Sequence, residues 1–350
     1  MKMNYREEVK KTAALPLDWT LLKDRTVVIS GATGMIGSYL IDVFMEKNHV
    51  EHLNCQVVAM GRNEEKAKKR FERFWNQPEF RFICCDINRE LTLGLENTDY
   101  VIHLASNTHP VAYATDPIGT VTANIIGTNQ LLDLAAGTGC RRFVFASSVE
   151  IYGENRGDTD KFVEDYLGYI DCNTLRAGYP ESKRAGEALC QAYRKQKELD
   201  VVIPRLSRTF GPTMLMSDTK AISQFIKKGL AGEDIVLKSE GNQLYSYSYV
   251  ADAVSGLLYC MLKGQSGEAY NIASDDCNVT LKELAAMIAD WAGTKVVFEL
   301  PDATEQAGYS KATKAMLDGT KLEQLGWKAD YSMKEGLKAT LEILKGTGIA

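Results

Sequence analysis

The chain has 350 residues, of which 45% are hydrophobic and 25% are charged, and its formal net charge at pH 7 is -5. These values are those of an ordinary globular protein, and the negative balance argues against a nucleic-acid-binding surface. The eight cysteines include no Cys-x-x-Cys pair and no histidine cluster lies near them, so we expect neither a metal site nor a disulfide framework.

The N-terminal residues 1–11 are charged and polar and lack the apolar segment of a signal peptide. No later run reaches the ~18 consecutive apolar residues that a membrane-spanning helix needs. We therefore expect a cytoplasmic protein that does not enter a membrane.

Short β-branched runs then alternate with helical patterns, which indicates βαβ units and a parallel sheet. A helix over 35–47 follows the first strand, and a second helix carries Tyr179. From about Gly211 the pattern loosens into a segment rich in Met, Ser and Thr, and amphipathic helices follow between Leu281 and Leu344. The predicted strands are 26–30, 56–60, 82–84, 100–104, 142–146, 201–206, 235–237 and 296–298.

These elements predict an α/β fold, a Rossmann-type doubly wound parallel sheet with a smaller, discontinuous C-terminal α/β lobe for the substrate. A cleft between the two lobes is the expected ligand site. The predicted division is a dinucleotide-binding domain at 20–210 and about 235–270, a substrate lobe at 211–234 and 271–350, and an N-terminal extension at 1–19.

A glycine-rich turn links the first strand to its helix. Gly31, Gly34 and Gly37 follow that strand, and the turn also contains Thr33. Glycines here allow the backbone to approach a dinucleotide pyrophosphate, and the N–H groups that open the helix at Met35-Ile36 point at the phosphates.

The end of the second strand bears on the choice of nicotinamide cofactor. A carboxylate there accepts the ribose 2′-hydroxyl of NAD, whereas a basic residue pairs with the 2′-phosphate of NADP. This chain has Arg62 at that point and no Asp or Glu, which favours NADP(H). The alternative is that Arg62 is a solvated surface residue and NAD(H) binds through backbone groups, with Asp86 and Ile87 flanking the adenine.

Tyr179 and Lys183 are four residues apart on a predicted helix, so they share one face of it. A cation beside a phenol can lower the pKa of the phenol and make it a usable acid/base. A strand ending in Ser147-Ser148 precedes them and supplies a second hydroxyl. This set is typical of a hydride-transfer site, in which a proton and a hydride move at one carbinol carbon.

Several motifs between residues 26 and 327 complete the pattern. They are Gly31-x-x-Gly34-x-x-Gly37, Asp86-Ile87, His103-Leu104-Ala105-Ser106, Asn124-x-x-Gly127-Thr128, Ser147-Ser148-Val149-Glu150-Ile151-Tyr152-Gly153, Tyr179-x-x-x-Lys183 and Gly211-Pro212. Together they resemble the extended short-chain dehydrogenase/reductases, the NAD-dependent epimerase/dehydratase family, whose members are oxidoreductase-type enzymes that modify nucleotide sugars.

The resemblance implies a role for each matching residue. Ser148 is the hydroxyl that contacts the reacting sugar oxygen, Tyr179 is the acid/base, and Lys183 holds the nicotinamide ribose. Asn124 braces the central helix beside the site. Leu104, Ala105 and Ser106 line the cofactor site after the fourth strand.

Local likeness is greatest to UDP-glucuronate decarboxylases and sugar-nucleotide 4,6-dehydratases. The Asp116-Pro117-Ile118 run with Tyr113, and Arg176 three residues before Tyr179, match that group. In it the sugar C4 hydroxyl is oxidised to a ketone, and Glu150 is expected near C5 as an auxiliary acid/base. The alternative for Glu150 is a solvent-facing carboxylate at a strand end.

Two departures from the family pattern concern anion binding. Arg208 stands where the pattern has an asparagine, and Tyr245 stands where decarboxylases and epimerases have an arginine. A guanidinium can grip a phosphate with two hydrogen bonds, so we expect Arg208 to replace the missing cation. Val149 replaces an aspartate of the dehydratases, which weakens the dehydratase alternative.

These departures and Arg62 favour a net NADPH-linked reduction of a nucleotide-linked keto-sugar or ketose, with Tyr179 as the acid. The alternative is a UDP-glucuronate decarboxylase-like enzyme or 4-epimerase that recycles bound NAD. A cofactor-binding regulatory protein without activity is a third alternative, but Ser148, Tyr179 and Lys183 are all present.

The substrate-binding residues are predicted from isolated polar side chains. Asn107 and His109 follow the fourth strand at the edge where open α/β sheets bind ligands. Arg176, Arg208, Tyr245 and Lys314 are the other expected substrate contacts. The resemblance also implies a homodimer, in which the helix after Asp116 and the helix of Tyr179 form a four-helix interface.

Overall fold

The central element is a parallel sheet of eight strands, within the residues that the computed structural model describes, which are 4–91, 94, 95, 97–108, 113, 115–299 and 313–346. Across all sheets the strands are β1 (Thr26–Ser30), β2 (Gln56–Gly61), β3 (Phe80–Cys84), β4 (Tyr100–His103), β5 (Arg142–Phe145), β6 (Ser147–Ser148), β7 (Val201–Leu206), β8 (Arg208–Phe210), β9 (Ile235–Leu237), β10 (Leu244–Tyr249), β11 (Ala269–Ile272), β12 (Asn278–Thr280), β13 (Val296–Phe298) and β14 (Lys314–Ala315).

The main sheet has the strand order β3-β2-β1-β4-β5-β7-β11, and β6 pairs with β7. All of these pairs are parallel. The chain runs outward from β1 to β3 on one side and from β4 to β11 on the other, so the order reverses between β1 and β4. Ligands of doubly wound sheets bind at such a reversal, beyond the carboxyl ends of the strands.

Helices cover both faces of this sheet. Strands such as β1 and β5 are apolar almost throughout and nearly fully buried, as expected for parallel strands that have helices on either side. The helices are α1 (Tyr5–Ala13), α2 (Met35–Glu51), α3 (Glu64–Arg70), α4 (Pro117–Gly137), α5 (Gly178–Lys197), α6 (Ala221–Ala231), α7 (Val250–Lys263), α8 (Leu281–Ala292), α9 (Thr320–Glu323) and α10 (Met333–Gly346).

Smaller sheets lie after the end of β7. One contains β12, β10 and β14 with β8 paired to β10, and the other contains β9 and β13. The predicted boundary near residue 235 does not coincide with this pairing, because β9 falls in the segment assigned to the dinucleotide-binding domain while its partner β13 falls in the other lobe. The boundary near 270 falls inside β11, a strand of the main sheet.

The N-terminal segment is part of the packed structure. Helix α1 lies against α2 and α7. The Tyr5 hydroxyl donates a hydrogen bond to Asp42 of α2, and the Tyr331 hydroxyl donates one to Glu8. The predicted N-terminal extension therefore connects α2 to the C-terminal part of the chain.

None of the helices in the described ranges is long and apolar enough to cross a membrane. The described His, Cys, Asp and Glu side chains form no group of three that could hold a metal ion. All eight cysteines are free thiols.

Candidate active site

The glycine-rich turn lies where the strand order reverses, between β1 and β4. Gly31 has a φ of +71°, and a Cβ on it would stand 2.7 Å from the backbone nitrogen of Ala105, which follows β4. A Cβ on Gly37 would stand 2.5 Å from the carbonyl oxygen of Gly31. Only glycine meets both the backbone conformation and the lack of space at residue 31.

Helix α2 begins directly after this turn. Gly34 is its N-cap residue and provides no side-chain hydrogen bond to the first turn, which Met35 and Ile36 open. Free N–H groups at a helix N-terminus attract phosphate. The close backbone approach at Gly31 and the uncapped N-terminus of α2 fit a dinucleotide pyrophosphate.

The other predicted cofactor contacts surround this edge of the sheet. Leu104, Ala105 and Ser106 are half-buried, and the Ala105 N–H donates to Ser30 Oγ at 3.3 Å. Asp86 and Ile87 follow β3. Ile87 is buried against Gly127 of α4, where an added Cβ would stand 2.5 Å from Ile87 Cδ1, and Asp86 Oδ1 accepts the N–H of Asn88 at 3.0 Å.

Arg62 follows β2 and is exposed. None of the described residues forms a hydrogen bond or an ion pair with its guanidinium. Its position at the carboxyl end of β2 is the one from which a side chain reaches the adenosine ribose of a dinucleotide.

Ser148 and Tyr179 meet at the carboxyl end of the sheet. Ser148 ends β6, and Tyr179 lies in the first turn of α5 with 6% of its surface exposed. The Ser148 hydroxyl is close enough to the Tyr179 phenol to lower its pKa. The structure therefore brings together the two hydroxyls that the sequence predicted for proton transfer.

Burial raises the pKa of Tyr179 to about 12, and the hydrogen bond from Ser148 offsets only part of this. The expected lowering of this pKa toward neutrality by Lys183 is therefore wrong for the protein alone, since the loss of hydration around the phenol dominates. Nearby Glu150 adds to the rise and Arg176 opposes it.

Lys183 lies one turn further along α5 and is 3% exposed. Its ammonium donates to the carbonyl oxygen of Ala146 at 2.9 Å and lies 4.9 Å from the ring centre of Phe145. Burial lowers the pKa of Lys183 to about 8. Two more donor positions on this ammonium are available for a ligand such as a ribose hydroxyl.

Asn124 of α4 connects the two central helices. Its Nδ2 donates to Ser182 Oγ at 3.0 Å, and Ser182 Oγ donates to the carbonyl oxygen of Tyr179 at 2.8 Å. Asn124 Oδ1 is buried without a hydrogen-bond partner in the described residues. The predicted bracing of the central helix is thus seen in the contacts, and Asn124 keeps one acceptor for a bound water or cofactor.

Glu150 lies between two arginines, two residues after Ser148. Its Oε2 accepts from Arg176 at 2.7 Å and its Oε1 from Arg208 at 3.4 Å. Burial by itself would raise the pKa of Glu150, but Arg208 and Arg176, with a smaller effect of Lys220, bring it below the ordinary value. Glu150 is therefore a partly buried, ionised carboxylate and not a solvent-facing strand end.

Two aromatic rings complete this cluster. The Tyr113 ring lies 5.1 Å from that of Tyr179 and 4.9 Å from the guanidinium carbon of Arg176. The Tyr245 ring lies 3.7 Å from the guanidinium carbon of Arg208. The sequence marked Tyr113 as part of a motif but gave it no role, and only its contact with Tyr179 shows that it shapes the site.

Of the remaining predicted substrate contacts, Asn107 and Lys314 have polar partners of their own. Asn107 Nδ2 is 3.4 Å from Asp116 Oδ2 and from Thr120 Oγ1, at the start of α4. Lys314 forms an ion pair with Asp160 at 2.8 Å. His109 lies outside the described residues.

The chain is similar in sequence to known proteins. The model of the NAD dependent epimerase/dehydratase family matches residues 27–273. UDP-glucuronic acid decarboxylase 1 of Danio rerio is 31% identical over 331 residues, which covers 93% of this chain and 74% of that protein. UDP-glucuronic acid decarboxylase 3 of Arabidopsis thaliana is 30% identical over 89% of this chain and 86% of its own length.

Solved structures show the same fold at lower identity. The UDP-glucuronic acid 4-epimerase of Bacillus cereus, solved with UDP-glucuronic acid and NAD, has a TM-score of 0.78 at 23% identity, covering 92% of this chain and 99% of that one. The dTDP-glucose 4,6-dehydratase DesIV of Streptomyces venezuelae, solved with NAD, has a TM-score of 0.77 at 23% identity, covering 92% and 97%. The predicted fold class and enzyme class are confirmed, and the chain belongs to the NAD-dependent epimerase/dehydratase family of extended short-chain dehydrogenase/reductases.

Proposed function

We propose that the protein decarboxylates a nucleotide-linked hexuronate and recycles a tightly held NAD while doing so. The observation that carries the proposal is that Glu150, held between two arginines, acts on the same phenol, Tyr179, that Ser148 acts on. The similarity to UDP-glucuronic acid decarboxylases over most of the chain supports the same reaction.

The first step is proton removal from the sugar C4 hydroxyl. Tyr179 Oη takes this proton as a phenolate, while the Ser148 hydroxyl holds the sugar oxygen by a hydrogen bond. Because burial raises the pKa of Tyr179 to about 12 in the protein alone, the phenolate would need the positive charges of Lys183 and of a bound oxidised nicotinamide to form. The C4 hydride would pass to the nicotinamide of a bound cofactor and would come back from it at the end of the cycle. Lys183 presents a buried ammonium one helical turn away, where it binds the ribose of the cofactor and raises the local positive potential.

The ketone formed at C4 activates the neighbouring C5. The C5–C6 bond breaks, carbon dioxide leaves from C6, and the bonding electron pair moves into an enolate across C4 and C5. Protonation at C5 and return of the hydride to C4 complete the cycle, so no external oxidant or reductant is consumed. We assign to Glu150, which is ionised in the protein alone, the part of orienting the proton donor near C5.

NAD(H) has more support than NADP(H) as the cofactor, contrary to the expectation from Arg62. Structural neighbours were solved with NAD. A cofactor that is regenerated in place is not exchanged for a fresh one, so it needs no 2′-phosphate for recognition. The cradle at Gly31 and the acceptor left on Asn124 fit either dinucleotide.

A net NADPH-linked reductase is the second candidate. It is favoured by the exposed guanidinium of Arg62, which follows β2 at the position where NAD-binding proteins have a carboxylate and from which a basic side chain can reach a 2′-phosphate. In that reaction Tyr179 donates its proton to the ketone instead of receiving one.

We also propose a homodimer formed through α4 and α5. Ile118 and Leu175 are 77% and 65% exposed and border an apolar groove between these helices. Ile118, Thr122 and Ile126 lie at four-residue spacing on α4, a helix whose only charged residue is Asp133. An uncharged helical stripe of this kind matches a second copy of itself across a two-fold axis.

The test of the proposed reaction is incubation with UDP-glucuronate labelled with ¹³C at C6. Release of labelled carbon dioxide together with a UDP-pentose supports decarboxylation. Conversion to a C4 epimer with the label retained would assign the site to epimerisation, and NADPH-dependent turnover of a nucleotide-linked ketose alone would assign it to the reductase.

A further inference from the structure

The charges around Glu150 do not balance. Arg176 and Arg208 both contact its carboxylate, so two guanidinium groups share one negative charge. Lys220 also helps to lower the pKa of Glu150, but it forms its own ion pair with Asp218 at 3.2 Å. The cluster next to the catalytic hydroxyls therefore keeps one positive charge in excess.

Arg208 is the arginine whose donors are incompletely used. Its Nη2 reaches Glu150 at 3.4 Å, a long hydrogen bond, whereas Arg176 holds the same carboxylate at 2.7 Å. Arg208 Nη1 is buried and has no hydrogen-bond partner among the described residues. A buried donor on a cation is costly when it stays unpaired, so its presence points to a ligand acceptor.

The orientation of Arg208 is fixed from two sides. Its guanidinium carbon lies over the Tyr245 ring, 3.7 Å from the ring centre, and its strand β8 is held in register with β10 through the Arg208–Tyr247 pair. Stacking leaves the edge of a guanidinium free for in-plane hydrogen bonds, which is the geometry that a carboxylate prefers.

We propose that Arg208 is the residue that selects an acidic sugar, by binding the carboxylate of the substrate with Nη1 and Nη2. In the protein without substrate, Glu150 occupies part of this place and neutralises the guanidinium. When the sugar carboxylate binds, Glu150 stays on Arg176 alone and is left beside C5. The proposal rests on the proposed function and names the group of the substrate that this site recognises.

A sugar carboxylate suits this position better than the diphosphate expected from the sequence. Glu150 is two residues from Ser148, which holds the reacting oxygen, so Arg208 lies near the reacting end of the sugar. The diphosphate is attached at the anomeric carbon, away from that end. Glu150 itself shows that the site accepts a carboxylate.

The test compares binding of three ligands by isothermal titration calorimetry. All variants carry Tyr179→Phe so that no turnover disturbs the measurement. We expect Arg208→Gln to weaken UDP-glucuronate binding by about 10- to 100-fold, the scale of one or two charge-assisted hydrogen bonds, and to change UDP-glucose and UDP binding less than threefold. Glu150→Gln should leave UDP-glucuronate binding as tight as before or make it tighter.

The controls separate this proposal from its alternatives. Arg176→Gln is the matched variant, since it removes the other guanidinium and is expected to weaken UDP-glucuronate less than Arg208→Gln does. An equal loss for UDP and UDP-glucuronate in Arg208→Gln would place the diphosphate on Arg208 and overturn the proposal. No loss for any ligand, in a variant whose thermal unfolding is unchanged, would overturn it as well, as would a loss caused by Glu150→Gln.

The outcome is independent of the reaction type. Arg208-dependent binding of UDP-glucuronate without release of carbon dioxide by the unsubstituted enzyme would contradict the proposed decarboxylation and leave the selection of an acidic sugar standing. Release of carbon dioxide together with binding that does not depend on Arg208 would support the decarboxylation and contradict the role of Arg208.

Discussion

Asn124 of α4 donates a 3.0 Å hydrogen bond to the hydroxyl of Ser182, the residue that precedes Lys183. Through Ser182 the bond continues to the carbonyl oxygen of Tyr179. One amide therefore fixes the part of α5 that carries both the phenol and the ammonium of the candidate active site.

Removing that amide should loosen the helix pair. Asn124→Ala is expected to lower the free energy of unfolding by about 1–3 kcal/mol, because a buried hydrogen bond is lost. Urea denaturation followed by circular dichroism measures the change. Thr138→Ala at the C-terminal end of the same helix, whose hydroxyl donates only to carbonyl oxygens of α4, should stay within about 0.5 kcal/mol. Equal effects of the two substitutions would contradict the bracing role.

Tyr179→Phe tests the proton-transfer group. We expect turnover to fall by about 10²–10⁴-fold, the usual contribution of an acid/base residue, with cofactor affinity nearly unchanged. Steady-state kinetics and a cofactor titration measure the two effects. Tyr193→Phe is the matched control, since Tyr193 lies on the same helix and bonds Asp133 instead of the active site. Normal turnover in Tyr179→Phe would rule out the assignment.

The buried ammonium of Lys183 should give a pH-dependent cost to folding. Burial lowers its pKa from 10.5 to about 8, so the unfolded chain binds more protons than the folded one between these values. The free energy of unfolding therefore rises as the pH increases from 8 toward 10.5. The cost of burying the charged ammonium is greatest below pH 8, at about 3 kcal/mol or less.

Lys183→Met removes this cost, so the variant should gain most over the parent protein at pH 7 and lose that advantage toward pH 10. Chemical denaturation at several pH values measures the difference between the two proteins, which cancels the other titrating groups. Lys195→Met, on the exposed last turn of α5, should show a constant difference. A constant difference for Lys183→Met as well would mean that the ammonium is not perturbed.

Arg62→Asp separates the two cofactor proposals. A carboxylate at this position repels a 2′-phosphate and can accept the 2′-hydroxyl, so NADP(H) binding should weaken more than tenfold while NAD(H) binding is kept or improved. Fluorescence titration of the cofactor-free protein with both dinucleotides measures this. Lys69→Asp, on α3, controls for a simple change of net charge. Identical affinities before and after the Arg62 substitution would remove Arg62 from the cofactor site.

Ile118→Asp tests the proposed dimer. A carboxylate in the middle of an apolar helix interface has no partner, so the variant should be monomeric. Light scattering coupled to gel filtration gives the mass. Val50→Asp, at the exposed end of α2, should keep the assembly of the parent protein. A monomeric parent protein would contradict the proposal directly.

Local patterns predicted eight of the fourteen strands in the described residues; they missed β8, β10, β11, β12 and β14 and did not separate β6 from β5. Apolar runs of Val, Ile and Phe identified β1, β2 and β5, and the spacing of Tyr179 and Lys183 placed them on one helical face. These features depend on residues close in sequence, where side-chain periodicity reflects burial directly.

Contacts between distant segments could not be predicted in the same way. Arg176 and Arg208 were expected to contact the substrate and Glu150 to act as an auxiliary acid/base, but their pairing joins three separate segments. It depends on how the residues before α5 and after β6 pack against β8. The β9–β13 pairing and the contacts of α1 also join distant segments. The raised pKa of Tyr179 was not predicted because its largest cause is burial, which sequence alone does not quantify.

The most direct test of the account follows the hydride itself. UDP-glucuronate with deuterium at C4 of the sugar is converted by the enzyme in the presence of excess unlabelled NADH and NAD, and the product is analysed by mass spectrometry. The account predicts that the deuterium returns to the same sugar and is retained in the product. Loss of deuterium from the product, with its appearance in free NADH, would show that the cofactor exchanges and would contradict a recycled cofactor.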